Sequence, residues 1–231
     1  MTDKKDHSEL DLDKTLVETT HKVEHFYHDY KKQINYGIIA VLVLVALYVG
    51  VTRFYLAPLE EEGQKEAFMA QKYFEIDSFN LALNGNDKFK GFEAIADDYG
   101  MTKIGNLAHF YAGICNLRMG KFQEALDHLE DFSTSNEIVA PLAEGAIGDA
   151  YVELGDLDKG VKHYVKAAKM NANKLTSPVF YKKAGMVYEE QKEYGNALEM
   201  YNKIKKDYSE ATEAADIDKY IARAETLKAD N

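Results

Sequence analysis

Hydrophobic and polar residues are distributed unevenly along the chain, and the longest apolar stretch lies near its start. No charged residue occurs between Tyr36 and Thr52. In an α-helix this stretch would extend about 25 Å, slightly less than the hydrocarbon thickness of a bilayer. Arg53 can reach the lipid headgroups with its charge, so the apolar residues after it lengthen the segment. The pattern predicts one transmembrane helix over Tyr36–Ala57, ended by Pro58.

The position of this segment favours a membrane anchor over a cleaved signal peptide. Signal peptides place a shorter apolar region behind a short basic one, whereas residues 1–35 precede this segment and no typical cleavage site follows it. We therefore expect an uncleaved signal anchor at 36–57. The basic residues near its two ends are equal in number: Lys22, Lys31 and Lys32 before it, and Arg53, Lys65 and Lys72 after it. Those before it lie slightly closer, which favours a cytoplasmic N-terminus.

The tail formed by residues 1–35 is expected to contain an amphipathic helix over Leu12–Tyr30. Its apolar face comprises Leu12, Leu16, Val23, Phe26, Tyr27 and Tyr30. The opposite face carries His21, His25 and His28 at i, i+4 and i+7. Imidazoles at this spacing can share a metal ion, and a solvated polar face is the alternative. Because nothing nearby supplies the outer hydrogen bonds of a dedicated metal site, we expect the solvated face.

Residues 58–231 contain three similar segments. They begin at Asn106, Pro141 and Pro178, 35 and 37 residues apart, close to the 34 residues of a tetratricopeptide repeat. Each has a small residue at position 8, a turn residue at 15, a small residue at 20 and a large residue at 24. In that order these are Gly113, Gly148 and Gly185; Gly120, Gly155 and Lys192; Ala125, Gly160 and Ala197; and Leu129, Tyr164 and Tyr201. Small residues let two helices approach closely, and the large residues fill the space beside them.

Further helical pattern surrounds the three repeats. A degenerate hairpin precedes them, with a first helix and turn expected over Phe68–Asp87 and a second helix over Phe89–Gly100. A closing helix follows within Glu210–Leu227. No alternation of apolar and polar residues requires a strand. The predicted fold is all-α, with a single N-terminal transmembrane helix followed by a tetratricopeptide-like solenoid of about four helical hairpins plus a capping helix. The expected repeats lie near 66–100, 106–139, 141–174 and 178–209, and the cap lies at 210–231.

Charge and motif content narrow the possible functions. The formal net charge is −11, and residues 58–231 contribute −10 through 21 basic and 31 acidic side chains. Such a domain repels phosphate backbones, so no nucleic-acid partner is expected. The sequence contains no catalytic or cofactor-binding motif, so we predict neither an enzyme nor a cofactor. Cys115 lies in an apolar stretch and is expected to be buried. We expect His109, His128 and His163 to be structural or surface residues.

A solenoid of this kind usually binds partners on its concave side, which the first helix of each hairpin lines. Positions 2, 5 and 9 of those helices are therefore candidates for a protein-binding groove. They are Leu107, Phe110 and Ile114; Leu142, Gly145 and Asp149; and Val179, Lys182 and Met186. A mainly apolar groove suits an extended hydrophobic segment or a partner helix. The alternative is that the first three residues are covered by the preceding hairpin or the linker helix.

The arrangement as a whole resembles the YfgM-like family of inner-membrane tetratricopeptide proteins associated with the Sec translocon. The likeness rests on a tail ending in FYHDYKK, an anchor closing with Arg53-Phe54-Tyr55, an acidic linker helix, a degenerate hairpin and three repeats. It implies a single-pass protein of the bacterial inner membrane, with a cytoplasmic tail and a periplasmic repeat domain that assists the chaperoning of exported proteins. The implied partners are translocon subunits, periplasmic chaperones or exported polypeptides, and the lipid bilayer through 36–57.

Two other functions are compatible with the sequence. The same groove could serve an assembly scaffold for another envelope complex. The chain could also be an enzyme-linked sensor whose histidine-bearing tail responds to metal or pH.

Overall fold

The computed structural model describes residues 6–230, with side chains described from Asp29 onwards. The chain divides between Ala57 and Pro58 into two compact units. Over the described residues the fold is helical with one very short strand pair, which confirms the predicted all-α class.

The N-terminal unit consists of helix α1, Asp6–Val51, and a π-helical turn, Thr52–Leu56. Large apolar side chains between Ile38 and Val51 are about half exposed or more. Among the described residues, one helix is long and apolar enough to cross a membrane, with a mean hydropathy of 2.4 in its most apolar window. In water this exposed apolar surface would be unfavourable.

Pro58 does not end a helix, contrary to the sequence prediction. It occupies the second position of helix α2, Ala57–Glu75. The residues before Pro58 are also helical, so the proline ring is accommodated by the widened π-helical turn rather than by a free helix start. The turn before it is π-helical, and the Ala57 N–H donates to the Thr52 carbonyl.

The C-terminal unit is an array of helices joined by short turns. After α2 come α3, Phe79–Asn84; β1, Gly85–Asn86; β2, Phe89–Lys90; α4, Phe92–Asp98; α5, Lys103–Arg118; α6, Phe122–Asp131; α7, Val139–Glu153; α8, Leu157–Lys169; α9, Ser177–Glu190; α10, Tyr194–Asp207; and α11, Ile217–Ala229. A single 3₁₀ turn, Thr212–Ala214, precedes α11. Helices α5–α6, α7–α8 and α9–α10 form three successive hairpins.

The first part of this unit differs from the predicted pair of helices. Phe89 lies in a two-residue strand that pairs antiparallel with Gly85–Asn86, and α4 begins only at Phe92. Gly85 has φ of +66°, which only glycine adopts without strain. A side chain at Gly91 would overlap the backbone of Leu83. The turn therefore depends on close backbone approach, and two-residue strands are too short to produce an alternating sequence pattern.

Each hairpin turns at a residue with positive φ, at the predicted position 15. The φ angles are +75° at Gly120, +82° at Gly155 and +62° at Lys192. This left-handed conformation ends the first helix of each hairpin and redirects the chain. The predicted repeat register is therefore confirmed at the turns.

The glycine at position 8 faces the residue at position 24 in every hairpin. A Cβ added at Gly113 would lie 2.6 Å from Leu129 Cγ, and one added at Gly148 would lie 2.7 Å from Tyr164 Cδ1. At Gly185 the added atom would overlap the ring of Tyr201. The large side chain fills the space that the missing Cβ leaves, as the sequence pattern predicts.

Candidate protein-binding surface

The predicted groove residues lie on α5, α7 and α9, the first helices of the three hairpins. They are Leu107, Phe110 and Ile114 on α5; Leu142, Gly145 and Asp149 on α7; and Val179, Lys182 and Met186 on α9. Their exposure and contacts divide them into paired charges, half-buried residues, exposed residues and the buried Gly145.

The two charged residues are paired within the unit. Asp149 accepts hydrogen bonds from Lys183 Nζ, at 2.6 and 2.8 Å, and from the Tyr164 hydroxyl at 2.5 Å. Lys182 Nζ donates to Asp216 Oδ1 at 2.7 Å and lies 4.4 Å from the centre of the Tyr220 ring. Both charges therefore tie neighbouring helices together and contribute little free charge to a groove.

Most of the apolar candidates are half-buried. Phe110 and Ile114 pack against the core cluster of Leu126, Leu129, Ala146, Ile147 and Ala150. The ring centre of Phe110 is 5.2 Å from that of Phe132. Leu107 packs against the separate cluster that includes Ile95 and Ile104. These side chains close the contacts between neighbouring helices and leave only part of their surface to a partner.

Two candidates are prominently exposed. Leu142 is 42% exposed and Met186 is 48% exposed, and other large apolar side chains of this unit, such as Leu175, are exposed as well. Val179 is half-buried, and Gly145 is buried where a Cβ would overlap the Phe180 ring. Leu142 and Met186 are therefore the apolar candidates most available to a protein partner.

Open depressions flank Leu107 on both sides. One of about 800 Å³ lies between the start of α5 and the loop before α7, lined by Lys103, Asn106, Leu107, Phe132, Ser133, Thr134, Ser135, Asn136 and Val139. Another of about 370 Å³ lies between α2 and α5, lined by Glu60, Gln64, Gln71, Lys103, Ile104 and Leu107. Their combination of amide, hydroxyl and apolar groups suits a peptide backbone with an occasional apolar side chain.

The loop beside the larger depression is fixed by its own hydrogen bonds, and the groove prediction did not include it. Asn106 donates to the Ser133 carbonyl at 2.9 Å and accepts from the Ser133 N–H at 3.0 Å. Asn136 accepts from the N–H groups of Ile138 and Val139, capping α7. The polar run Ser133-Thr134-Ser135-Asn136 is the sequence signal for this loop.

A carboxylate from α2 caps α5, which the sequence does not reveal. Glu60 Oε2 accepts from the N–H groups of Lys103 at 2.7 Å and Ile104 at 3.1 Å. These are free donors at the helix N-terminus, where a negative charge is also favoured by the helix dipole. Thr102 adds a side-chain cap by accepting from the Gly105 N–H at 3.2 Å.

Potentially reactive groups in the described part of the unit are buried or paired. Burial raises the pKa of the Cys115 thiol to about 12, so the thiolate needed for nucleophilic chemistry is scarce at neutral pH. His163 Nδ1 lies 2.8 Å from Glu144 Oε1. Among described residues there is no group of three or more His, Cys, Asp or Glu side chains arranged for a metal. His21, His25 and His28, the predicted tail stripe, have side chains outside the described part of the chain.

Comparison with protein families matches two segments of the chain. Residues 145–174, within α7 and α8 and the turn after them, match a tetratricopeptide repeat. Residues 181–211, within α9 and α10 and the turn after them, also match a tetratricopeptide repeat. No curated protein matches the chain. The two matches indicate a tetratricopeptide-repeat protein, a fold that typically mediates protein–protein interaction without catalysis.

Proposed function

We propose that the protein is a non-enzymatic, membrane-anchored scaffold whose repeats bind protein partners. The observation that carries the proposal is the pairing of an exposed apolar helix with repeat hairpins that leave large apolar side chains uncovered. The proposed organisation is a tail at 1–35, an anchor at 36–57 and a repeat domain at 58–231. Within that domain the proposed repeats lie near 66–100, 106–139, 141–174 and 178–209, with a cap at 210–231.

The proposed binding surface comprises Leu107, Leu142 and Met186, together with the depressions beside Leu107. An apolar surface with amide groups nearby favours an extended polypeptide or a partner helix. The net charge of −10 over residues 58–231 disfavours nucleic acid. Anchoring a weak binding surface at the membrane raises its effective concentration for partners that emerge there.

The finer proposal places this scaffold at the Sec translocon of the bacterial inner membrane, with a cytoplasmic N-terminus and a periplasmic repeat domain. Its partners would be translocon subunits, periplasmic chaperones or exported polypeptides. The family resemblance in the tail, the anchor and the repeats supports this placement. An assembly scaffold for another envelope complex would use the same surface.

Crosslinking followed by purification of the full-length chain distinguishes these possibilities. We expect translocon subunits to co-purify, and to be reduced when Leu142 and Met186 are both changed to Asp. A matched variant with Lys162→Asp and Asn202→Asp changes exposed positions of the second helices and should leave recovery unchanged. Enrichment of a different envelope complex would replace the translocon assignment, and recovery unaffected by the Asp pair would reject the surface.

Orientation needs a separate experiment. A C-terminal alkaline phosphatase fusion should be active, because that enzyme requires an oxidising compartment for its disulfides. An inactive phosphatase fusion beside an active cytoplasmic reporter at the same position would reverse the proposed orientation.

A further inference from the structure

Two positions that lie 19 residues apart in sequence face each other across the first two hairpins. In α5–α6 they hold His109 and His128, and in α7–α8 they hold Glu144 and His163. In α9–α10 the same positions hold Tyr181 and Met200. The repeat architecture therefore brings this pair together, and the residue types decide what the pair can do.

The second hairpin has a complete ion-pair arrangement at these positions. Glu144 is 7% exposed and lies 2.8 Å from His163 Nδ1 and 2.9 Å from Lys166 Nζ. Its charge is thus matched by donors on α8. The first hairpin has two imidazoles instead and no carboxylate between them.

The geometry of the two imidazoles fits a shared cation. His109 Nδ1 and His128 Nδ1 are 3.3 Å apart, with ring planes inclined by 48°. Zinc binds imidazole nitrogen at about 2.0–2.1 Å in tetrahedral geometry, which separates two ligand nitrogens by about 3.3–3.4 Å. The observed distance matches the edge of that tetrahedron, and it also allows a hydrogen bond between the two rings when one of the Nδ1 atoms carries a proton.

We propose that His109 and His128 form a two-imidazole site for a divalent first-row transition metal, of the Zn²⁺, Ni²⁺ or Cu²⁺ class. Water completes the coordination, since no third His, Cys, Asp or Glu ligand is arranged there among the described residues. Such a site is open and exchangeable, and a bound cation would join α5 to α6.

The surroundings favour a cation at this place. Both histidines are half-buried. Asp131 on α6 and Asp97 on α4 are near enough for their negative charges to act on His109, which partly compensates the charge of a bound ion.

The experiment removes the competing histidines first. The chain has seven histidines, so a full-length parent in non-chelating detergent would carry His7→Asn, His21→Asn, His25→Asn and His28→Asn.

Calorimetric titration of this parent with ZnCl₂ should show one site. His109→Asn and His128→Asn should each weaken zinc binding at least tenfold, whereas the matched control His163→Asn should leave it unchanged. His128→Cys should retain binding, since a thiolate also ligates zinc.

A second measurement keeps the proposal testable if a single variant unfolds. The parent loaded with Cu²⁺ should show magnetic coupling to two imidazole nitrogens by pulsed electron paramagnetic resonance. Coupling to one nitrogen or none would overturn the proposal. So would the absence of zinc heat in the parent, or a loss of binding in His163→Asn equal to that in His109→Asn.

Discussion

At the scale of single residues, the cost of adding a side chain at a packed glycine depends on whether the side chain opposite it can move. Tyr164 faces Gly148 and is 4% exposed. Its hydroxyl donates to Asp149 at 2.5 Å, and Lys183 holds that carboxylate from α9. The tyrosine is fixed at both ends, so space taken by a Cβ at Gly148 cannot be recovered by a small ring rotation.

Gly148→Ala is therefore expected to destabilise the protein by about 1–3 kcal/mol, the usual cost of overpacking. Gly195→Ala is the matched control, because its added Cβ would meet only Lys228 Nζ at 4.0 Å. That control should be neutral or slightly stabilising through helix propensity. Urea denaturation of both variants measures the difference, and equal stability would show that α7 and α8 are less closely packed than described.

The protonation of His109 gives a second prediction at this scale, on how stability changes with pH. The pKa of His109 is lowered, first by burial and then by His128, and raised to a lesser degree by Asp131 and Asp97. Below the unfolded value of about 6.5 the unfolded chain binds more protons at this position than the folded one, so stability falls as pH decreases.

In the presence of EDTA, the urea midpoint should fall more between pH 7.5 and pH 5 for the native chain than for His109→Asn. Carboxylate contributions are shared by both proteins and cancel in the comparison. An identical pH dependence would show that this imidazole is solvated in the folded state.

At the scale of elements, ion pairs join the second and third hairpins to the part of the chain that follows each. The two partners of each pair lie 34 residues apart in sequence. Asp149 pairs with Lys183, Lys182 with Asp216, and Glu189 with Arg223, each at this separation. The repeat period could therefore have predicted them. The groove prediction assigns Asp149 and Lys182 to a binding surface, because the pattern within one hairpin does not show partners that lie 34 residues away.

The capping helix α11 is held by one such pair. Arg223 Nε lies 2.8 Å from Glu189 Oε2, and Arg223 Nη2 lies 3.0 Å from Glu189 Oε1. Glu189 also accepts from the Tyr201 hydroxyl at 2.7 Å, and its side chain is only 10% exposed. Removing the arginine would leave a largely buried carboxylate without its cation.

Arg223→Ala should accelerate amide hydrogen exchange throughout α11, with a loss of about 1–3 kcal/mol of local stability. Lys205→Ala removes another pair between α10 and α11, with Asp218, but both of those side chains are mainly exposed. That variant should change exchange little. Equal exchange in the two variants would mean that apolar packing alone holds the cap.

Other features of the fold could not be predicted from the sequence pattern. Proline is common both in the first turn of a helix and just beyond its end, so the sequence around Pro58 does not distinguish the two. The structure places Pro58 at the start of α2. The strand at Phe89 arises from backbone contacts around Gly85 and Gly91. The Glu60 cap joins residues 43 and 44 positions apart. By contrast, the turns and glycine contacts of the hairpins follow directly from the repeat period.

At the scale of the whole molecule, the two units have opposite surface character. The N-terminal unit exposes large apolar side chains along α1, whereas residues 58–231 carry most of the negative charge. The first unit suits a bilayer and the second suits an aqueous compartment. This division supports a scaffold whose binding surface is presented near a membrane.

Photo-crosslinking at single positions in intact cells tests the central claim most directly. A photoreactive amino acid would replace Leu142 or Met186 on the proposed surface, and Lys162 or Glu199 on the exposed second helices α8 and α10. The account predicts discrete protein adducts from positions 142 and 186 and few from positions 162 and 199. Adducts that form equally at all four positions, or none at 142 and 186, would contradict it.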